Sequence, residues 1–246
     1  MKYIKKDFAD SVVVAYEDEL KENQLDKSSL ANHSIHPALQ GRDVYDQIKS
    51  FKHFKDLKDK MFQDQGGICC YCGQALKFRS HPPYIVEHVT PRETCRELAG
   101  EYENLLLSCR PTDEEETERT ADNKKKNNEY WHCDKLKGHK VLTYTPLQQS
   151  CNTHFSYHIL SGEVEGLDAD AENDIKTLGL NCDYLKRRRK AAIYAALYDE
   201  NGILLSNNDL KKYMSIVMNR KKDDTFPEFC FVIAGAIENF LNGEPA

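Results

Sequence analysis

Three of the nine cysteines in this 246-residue chain, Cys69, Cys70 and Cys72, lie in a glycine-flanked stretch at residues 66–73, where Cys69 and Cys72 form a Cys-x-x-Cys pair. A tight turn with this Cys-x-x-Cys spacing aims two thiolates at one zinc ion. The chain opens with charged residues and shows no apolar signal-peptide core, so we expect a cytoplasmic protein whose thiols stay reduced. Metal ligation or burial, rather than a disulfide framework, then has to account for the cysteines.

A tetrahedral zinc site needs a second pair of ligands from further along the chain. Cys109 and Cys133 are the best candidates, because they stand on either side of a highly charged insert at residues 110–132. Three alternatives stay open: Cys70 in place of its neighbour, and His132 or Cys95 in place of one member of the second pair. The preferred structural zinc ligands are Cys69, Cys72, Cys109 and Cys133.

The overall charge of the chain, −6 at pH 7, does not attract it to a polyanion. Any contact with nucleic acid therefore has to be local, or shared with a partner. The composition, 40% hydrophobic and 30% charged, is that of a globular protein. No apolar run approaches the roughly 18 residues that a membrane-spanning helix needs, so we expect no membrane association.

The spacing of apolar residues predicts an α+β protein in three parts. Residues 1–65 form an N-terminal helical segment, which includes one long helix over residues 43–65. Residues 66–145 contain short apolar pieces separated by glycine, proline and charge, as expected for short strands around a metal. Residues 146–246 return to helical periodicity and form a C-terminal helical region, with helices predicted over residues 171–178, 185–198, 209–218 and 228–241.

Four polar residues with chemical potential are nested among the cysteines. Glu87 and His88 end a short apolar piece, Asn104 follows, and Asp134 comes directly after Cys133. A carboxylate, an imidazole, an amide and a second carboxylate therefore occur inside one segment that zinc would hold together. Carboxylate oxygens suit magnesium and thiolates select zinc, so two neighbouring metal sites need not compete.

The segment carries four short motifs, which are Cys69-x-x-Cys72, Glu87-His88-x-x-Pro91, Asn104-Leu-Leu-Leu-Ser-Cys109 and Cys133-Asp-Lys-Leu-Lys-Gly138. Together they resemble the core of zinc-containing HNH endonucleases over about residues 66–140. The resemblance implies a zinc-stapled ββα-metal finger, two strands and a helix around a catalytic cation, flanked by N-terminal and C-terminal helices. Weaker similarity at both ends, in residues 1–6 and 151–189, extends to PtuB, the HNH protein of the Septu anti-phage system, which also accompanies some retrons.

The resemblance implies a role for each matching residue of the core. His88 would be the general base that takes a proton from the attacking water. Glu87 and Asp134 would hold the catalytic Mg²⁺ or Mn²⁺. Asn104 would hold the loop so that the imidazole points at the scissile phosphate.

Contacts with the substrate and with partner proteins follow from the same resemblance. Lys137 lies one helical turn beyond Asp134, where it would contact the phosphate. Arg92 and Lys135 are further candidates for nucleic-acid binding. The Septu resemblance implies a PtuA-like ATPase partner, and the retron association implies a reverse transcriptase and its RNA–DNA product. Whether the target is DNA or RNA stays open.

The expected function is hydrolysis of phosphodiester bonds by a metal-dependent HNH endonuclease that acts as the effector of an anti-phage system. One alternative is a zinc-stabilised binding or adaptor module without catalysis. Glu87, His88 and Asp134 together argue against it, because a structural zinc finger requires none of them. A zinc hydrolase with a non-nucleic substrate is a second alternative.

Two features of the last part have simpler interpretations than a functional site. Cys151, His154 and His158 have spacings that a second metal could use, but a helix-start cysteine with surface histidines is the simpler expectation. The basic run at residues 186–190 could grip phosphates, although such a run is usually a solvated helix face.

Overall fold

The structure is a computed structural model that describes residues 1–76, 84–110 and 131–243. Its first part contains the helices α1 (Ser11–Glu22), α2 (Lys27–Ala31), α3 (Gly41–Ile48) and α4 (Phe54–Gln65). Asp10 and Asp26 begin the first two helices, because their carboxylates accept hydrogen bonds from backbone N–H groups of the first turn. These helices turn their apolar faces towards the core, where Tyr16 and Leu57 are fully buried.

The single long helix predicted over residues 43–65 is wrong, because α3 and α4 are separate. A contact from outside the segment stabilises the break. The Glu19 carboxylate of α1 accepts hydrogen bonds from the backbone N–H groups of Lys52 (2.9 Å) and His53 (3.1 Å). Apolar periodicity continues through the break, so the sequence pattern alone does not reveal it.

The middle part consists of a two-stranded antiparallel sheet and a short helix. Strand β1 (Tyr84–His88) pairs with β2 (Leu105–Cys109), with Tyr84 opposite Cys109 and His88 opposite Leu105. Two 3₁₀ turns, Arg96–Leu98 and Tyr102–Asn104, lie between the strands, and α5 (Asp134–Lys137) follows later in the chain. Most of the predicted charged insert, residues 111–130, lies outside the described residues.

The last part contains the hairpin β3 (Phe155–Tyr157) and β4 (Val164–Gly166), followed by the helices α6 (Ala169–Leu178), α7 (Asp183–Leu197), α8 (Asn207–Val217) and α9 (Cys230–Leu241). Each end of these four helices lies within two residues of the end predicted from the sequence. The hairpin was not predicted, because strands of three residues are too short to show alternation.

Buried side chains from all three parts belong to one hydrophobic cluster. The last part reaches back to the cysteine turn through two backbone hydrogen bonds, Phe226 N to Gly66 O (2.7 Å) and Phe229 N to Gly73 O (2.8 Å). The helices and the two small sheets confirm that the protein combines α-helices and β-strands, as the sequence predicts. In the part of the chain that the structure describes, no helix is long and apolar enough to cross a membrane.

Candidate metal and catalytic site

Four buried thiols meet at one point: Cys69, Cys72, Cys109 and Cys133. The first two come from the turn closed by the bridge between Ile68 and Ala75, the third ends β2, and the fourth precedes α5. All four sulfur atoms lie within 4.8 Å of one another. The backbone N–H of Cys109 also donates to the Cys69 sulfur at 3.3 Å, a hydrogen bond that favours a thiolate.

The geometry of the four sulfurs fits a tetrahedral zinc ion. Zn–S bonds of about 2.3 Å place tetrahedral ligand atoms about 3.8 Å apart. The Cys69 and Cys133 sulfurs lie 3.8 Å apart, and so do those of Cys72 and Cys109. All of these cysteines are free rather than disulfide-bonded. The donor set is therefore a four-thiolate site of the kind that binds structural zinc.

The alternatives left open by the sequence lie outside this group of four. Cys70 is buried beside it, and Cys95 is half-buried and hydrogen-bonded to Glu97. His132 lies next to the cluster, with Nδ1 3.3 Å from the Cys133 sulfur and 3.7 Å from the Cys109 sulfur. The histidine is thus placed to influence the thiolates from their second shell of contacts.

Two carboxyl groups converge beside the sulfur cluster. Asp134, at the start of α5, lies close enough to Glu87 of β1 to act on the pKa of its carboxyl group. Burial and the neighbouring Asp134 carboxyl raise the pKa of Glu87 well above its usual range. Hard oxygen atoms brought together in this way are the ligands that Mg²⁺ and Mn²⁺ prefer, so the residues present fit a divalent cation.

His88, the next residue of β1, is buried with a defined tautomer. Its Nε2 lies 3.0 Å from the carbonyl oxygen of Ala99. Because a carbonyl only accepts, Nε2 carries the proton and Nδ1 keeps its lone pair. Burial lowers the pKa of His88 from 6.5 to about 4, so the imidazole is neutral near pH 7. A neutral imidazole with a free lone pair can act as a proton acceptor.

Asn104 holds the loop that joins β1 to the Ala99 carbonyl. Its side-chain oxygen accepts a hydrogen bond from the Thr90 backbone N–H at 2.7 Å. Its amide group donates to the carbonyl oxygens of Thr90 (2.9 Å) and Leu98 (3.1 Å). The loop is therefore clamped at both ends, which fixes the carbonyl that orients His88.

Lys137 takes a different position from the expected phosphate contact. Its side chain is only 1% exposed, and its Nζ lies 2.7 Å from Glu87 Oε1. The same ammonium donates to the His88 carbonyl oxygen at 2.9 Å. The sequence pattern placed Lys137 correctly on the helix after Asp134, but the helix turns this side chain towards the core.

Arg92 and Lys135 remain at or near the surface. The Arg92 guanidinium carbon lies 5.0 Å from the ring centroid of Tyr45, and its Nε lies 3.1 Å from Glu93. Lys135 is exposed, with Nζ 4.7 Å from the Trp131 ring centroid. Both cations flank the carboxylate and imidazole groups in sequence, and both are stacked against an aromatic ring.

The basic run at residues 186–190 is only partly a solvated face. Arg189 is 2% exposed and donates to the Gly162 carbonyl at 2.7 Å. Arg188 forms a forked ion pair with Glu228, and Lys186 pairs with Glu163. These three cations are therefore engaged within the fold.

The cysteine and histidine spacing in the last part does not build a second cluster among the described residues. The Cys151 thiol donates to the Met1 carbonyl oxygen, at 3.7 Å. His154 instead pairs with Asp168, with Nδ1 2.9 Å from Oδ2, and stacks on Tyr144. These contacts stabilise the start of α6 and agree with the simpler sequence expectation.

No protein-family model matches this chain. A protein from Vibrio cholerae serotype O1 biovar El Tor, named "Retron Vc95 putative HNH endonuclease", is 28% identical over 158 residues. The match covers 58% of this chain and 66% of that protein, just under two thirds of its length. The chain is similar to a retron HNH nuclease. This similarity supports a nuclease function and agrees with the motifs found in the sequence.

Two tyrosines of the site were not predicted from the sequence. Tyr45 of α3 lies edge-on to His88, with ring centroids 4.8 Å apart, and the sequence pattern shows it only as one position of the helix predicted over residues 43–65. Tyr71 donates from its hydroxyl to Glu87 Oε1 at 2.7 Å. In the sequence, only the position of Tyr71 inside the cysteine turn pointed to this contact. A side chain in such a turn lies close to the residues that pack against the metal site.

Proposed function

We propose that this chain is a metal-dependent HNH endonuclease and that β1, β2 and α5 form its ββα-metal finger. The carrying observation is the convergence of Glu87, His88 and Asp134 beside the four-thiol cluster. A structural zinc site alone gives no reason to bury a glutamate and a neutral histidine next to each other. The sequence similarity to a retron HNH nuclease supports the same conclusion.

In this mechanism His88 is the general base. The Ala99 carbonyl holds the proton on Nε2, so Nδ1 accepts the proton of the attacking water. Asn104 keeps this arrangement by clamping the loop at Thr90 and Leu98. The imidazole then needs no rearrangement before it reacts, which lowers the entropic cost of the step.

Glu87 and Asp134 would hold a Mg²⁺ or Mn²⁺ ion. When bound, this ion supplies positive charge where negative charge develops on the phosphate and the leaving oxygen. The four cysteines would hold a structural Zn²⁺ that fixes the ends of β2 and α5. Thiolates that remain reduced fit the cytoplasmic location expected from the sequence.

Nucleic-acid binding would rest on local cations, because the net charge of −6 gives no general attraction to a polyanion. Arg92 and Lys135 are the candidate phosphate contacts, each held against an aromatic ring. The Septu and retron similarities suggest an effector nuclease in defence against phage. Its partners would be a PtuA-like ATPase, or a reverse transcriptase with its RNA–DNA product.

The test is cleavage of single-stranded DNA, duplex DNA and total tRNA by wild-type protein and the His88→Ala variant, with Mg²⁺, with Mn²⁺ and with neither. We expect cleavage that requires both the ion and His88. The matched control is His33→Ala, which removes an exposed histidine that is hydrogen-bonded to the Ala31 carbonyl. Zinc content should be equal in all three proteins, and each protein should remain folded at the assay temperature.

Three results contradict the proposal. Equal cleavage by wild type and His88→Ala would exclude the base. Absence of cleavage by zinc-loaded protein, both alone and with its ATPase partner, would favour the adaptor module. Cleavage that added Mg²⁺ or Mn²⁺ does not change would favour zinc as the catalytic ion and contradict the assignment of Glu87 and Asp134.

A further inference from the structure

One oxygen atom of the candidate catalytic carboxylate is fully engaged inside the protein. Glu87 Oε1 receives the Tyr71 hydroxyl at 2.7 Å and lies 2.7 Å from the Lys137 ammonium. The side chains of Glu87 and Lys137 are 2% and 1% exposed, and Tyr71 is buried. Neither solvent nor substrate therefore reaches this oxygen directly.

Both donors come from the segments that carry the sulfur cluster. Tyr71 stands directly before Cys72, one of its ligands. Lys137 lies on α5, which begins after Cys133, and its backbone N–H donates to the Cys133 carbonyl at 2.9 Å. A bound zinc ion that fixes these cysteines also fixes the hydroxyl and the ammonium that hold Glu87.

We propose that Tyr71 and Lys137 are positioning residues that make Glu87 a monodentate metal ligand. Through them, the structural zinc site sets the position of the catalytic carboxylate. The inference rests on the proposed nuclease function and deepens it, because it gives Lys137 a role other than phosphate contact.

The hydrogen-bonding capacity of a carboxylate oxygen explains the monodentate geometry. Each oxygen offers about two lone-pair directions. The hydroxyl and the ammonium take both directions on Oε1, so a cation that Glu87 and Asp134 hold together would bind Glu87 through Oε2. An ammonium that is buried beside this carboxylate also balances part of its charge, which reduces the cost of keeping the group away from water.

Lys137 couples the two functional residues of β1 as well. Besides Glu87, its ammonium donates to the His88 carbonyl oxygen at 2.9 Å. One cation therefore fixes the carboxylate of one residue and the backbone of the next. The buried ammonium of Lys137 therefore holds Glu87 and His88 at a fixed distance from each other.

The first test measures Mn²⁺ affinity of the zinc-loaded protein by the EPR signal of free Mn²⁺. We expect Tyr71→Phe to weaken binding about tenfold, as loss of a second-layer partner of a metal ligand does, with zinc content unchanged. The matched control is Tyr16→Phe, which removes another buried hydroxyl, bonded to the Gly100 carbonyl at 2.6 Å. This control should leave Mn²⁺ affinity at the wild-type value.

Three outcomes of this measurement overturn the inference. Wild-type affinity in Tyr71→Phe shows that the hydroxyl does not position the ligand. Equal weakening in Tyr71→Phe and Tyr16→Phe shows a general structural effect. If Glu87→Gln binds Mn²⁺ in the same way as wild type, Glu87 is not a ligand.

The second test separates Lys137 from a phosphate contact. The salt dependence of binding to single-stranded DNA, duplex DNA or tRNA, measured on zinc-loaded protein without added Mg²⁺ or Mn²⁺, should be the same for Lys137→Met and wild type. Lys135→Met, the exposed neighbour on α5, should lower the slope by roughly one phosphate contact. A lower slope in Lys137→Met overturns the inference. If wild type cuts no nucleic acid, the proposed function fails while the Mn²⁺ measurement still decides the role of Tyr71.

Discussion

Replacing Cys69 by serine tests the zinc site most directly. The Cys69 sulfur lies 3.8 Å from the Cys133 sulfur and accepts the Cys109 backbone N–H. A structural zinc ion contributes on the order of 10 kcal/mol to folding, which is comparable with the whole stability of a typical domain. If water completes the coordination and half of this free energy survives, the loss is still about 5 kcal/mol. At roughly 2–4 °C per kcal/mol, the melting temperature falls by roughly 10–20 °C.

The assay combines zinc content, measured by mass spectrometry, with thermal unfolding followed by circular dichroism. Cys70→Ser is the matched control, because Cys70 is equally buried and adjacent but lies outside the group of four sulfurs. We expect this variant to keep one zinc ion per chain and to melt within a few degrees of wild type. EDTA should destabilise wild type and Cys70→Ser, and should have little further effect on Cys69→Ser.

Two findings would refute this reasoning. One is a Cys69→Ser protein that retains a full equivalent of zinc and melts like wild type. The other is loss of zinc from Cys70→Ser, which would show that the neighbouring thiol is the ligand and that the observed sulfur geometry does not describe the metal-bound protein.

Three further changes test other parts of the structure. Burial raises the pKa of Glu101 from 4.5 to about 7, so between these values the folded chain binds more protons than the unfolded chain and stability falls as the pH rises. Glu101→Gln should remove this fall: allowing for solvent screening, the melting temperature rises by about 2–4 °C at pH 8 and stays unchanged at pH 4. Asn104→Ala leaves the Thr90 N–H without its acceptor and should lower the free energy of unfolding in urea by about 2 kcal/mol, and Asn104→Asp should not restore it, because its carboxylate would face the Thr90 and Leu98 carbonyl oxygens that the amide now donates to. Gly66 has a φ of 60° and a Cβ there would lie 2.2 Å from the Phe226 ring, so Gly66→Ala should cost more stability in urea unfolding than Gly202→Ala, where φ is 74° and the nearest atom lies 3.9 Å away.

The local patterns of the sequence were sufficient for most helices and for the order of the site residues. Periodic apolar positions predicted α6 to α9, because a helix that buries one face repeats its apolar residues every three or four positions. The cysteine spacing and the Glu87-His88 pair indicated which residues meet. These signals are readable because each depends on neighbours within one turn or one strand.

Contacts between distant segments decided the rest. The break between α3 and α4 depends on Glu19, which lies 33 positions from Lys52. The burial of Arg189 depends on Gly162, 27 positions away. A charged side chain looks the same in the sequence whether it faces water or a buried partner. The sequence pattern therefore did not reveal the internal contacts of Glu19 and Arg189.

The candidate site shows the same division. The sequence by itself determined the donor types: four thiols, two carboxylates, and an imidazole beside one of the carboxylates. Only the tertiary structure decided that Lys137 points inward to Glu87, 50 positions earlier, and that Tyr71 shares the same oxygen. The chemistry of a side chain is fixed by its identity. Its partner is fixed by the tertiary fold. Bringing distant groups together costs conformational entropy, and only the packing of the whole core compensates that cost.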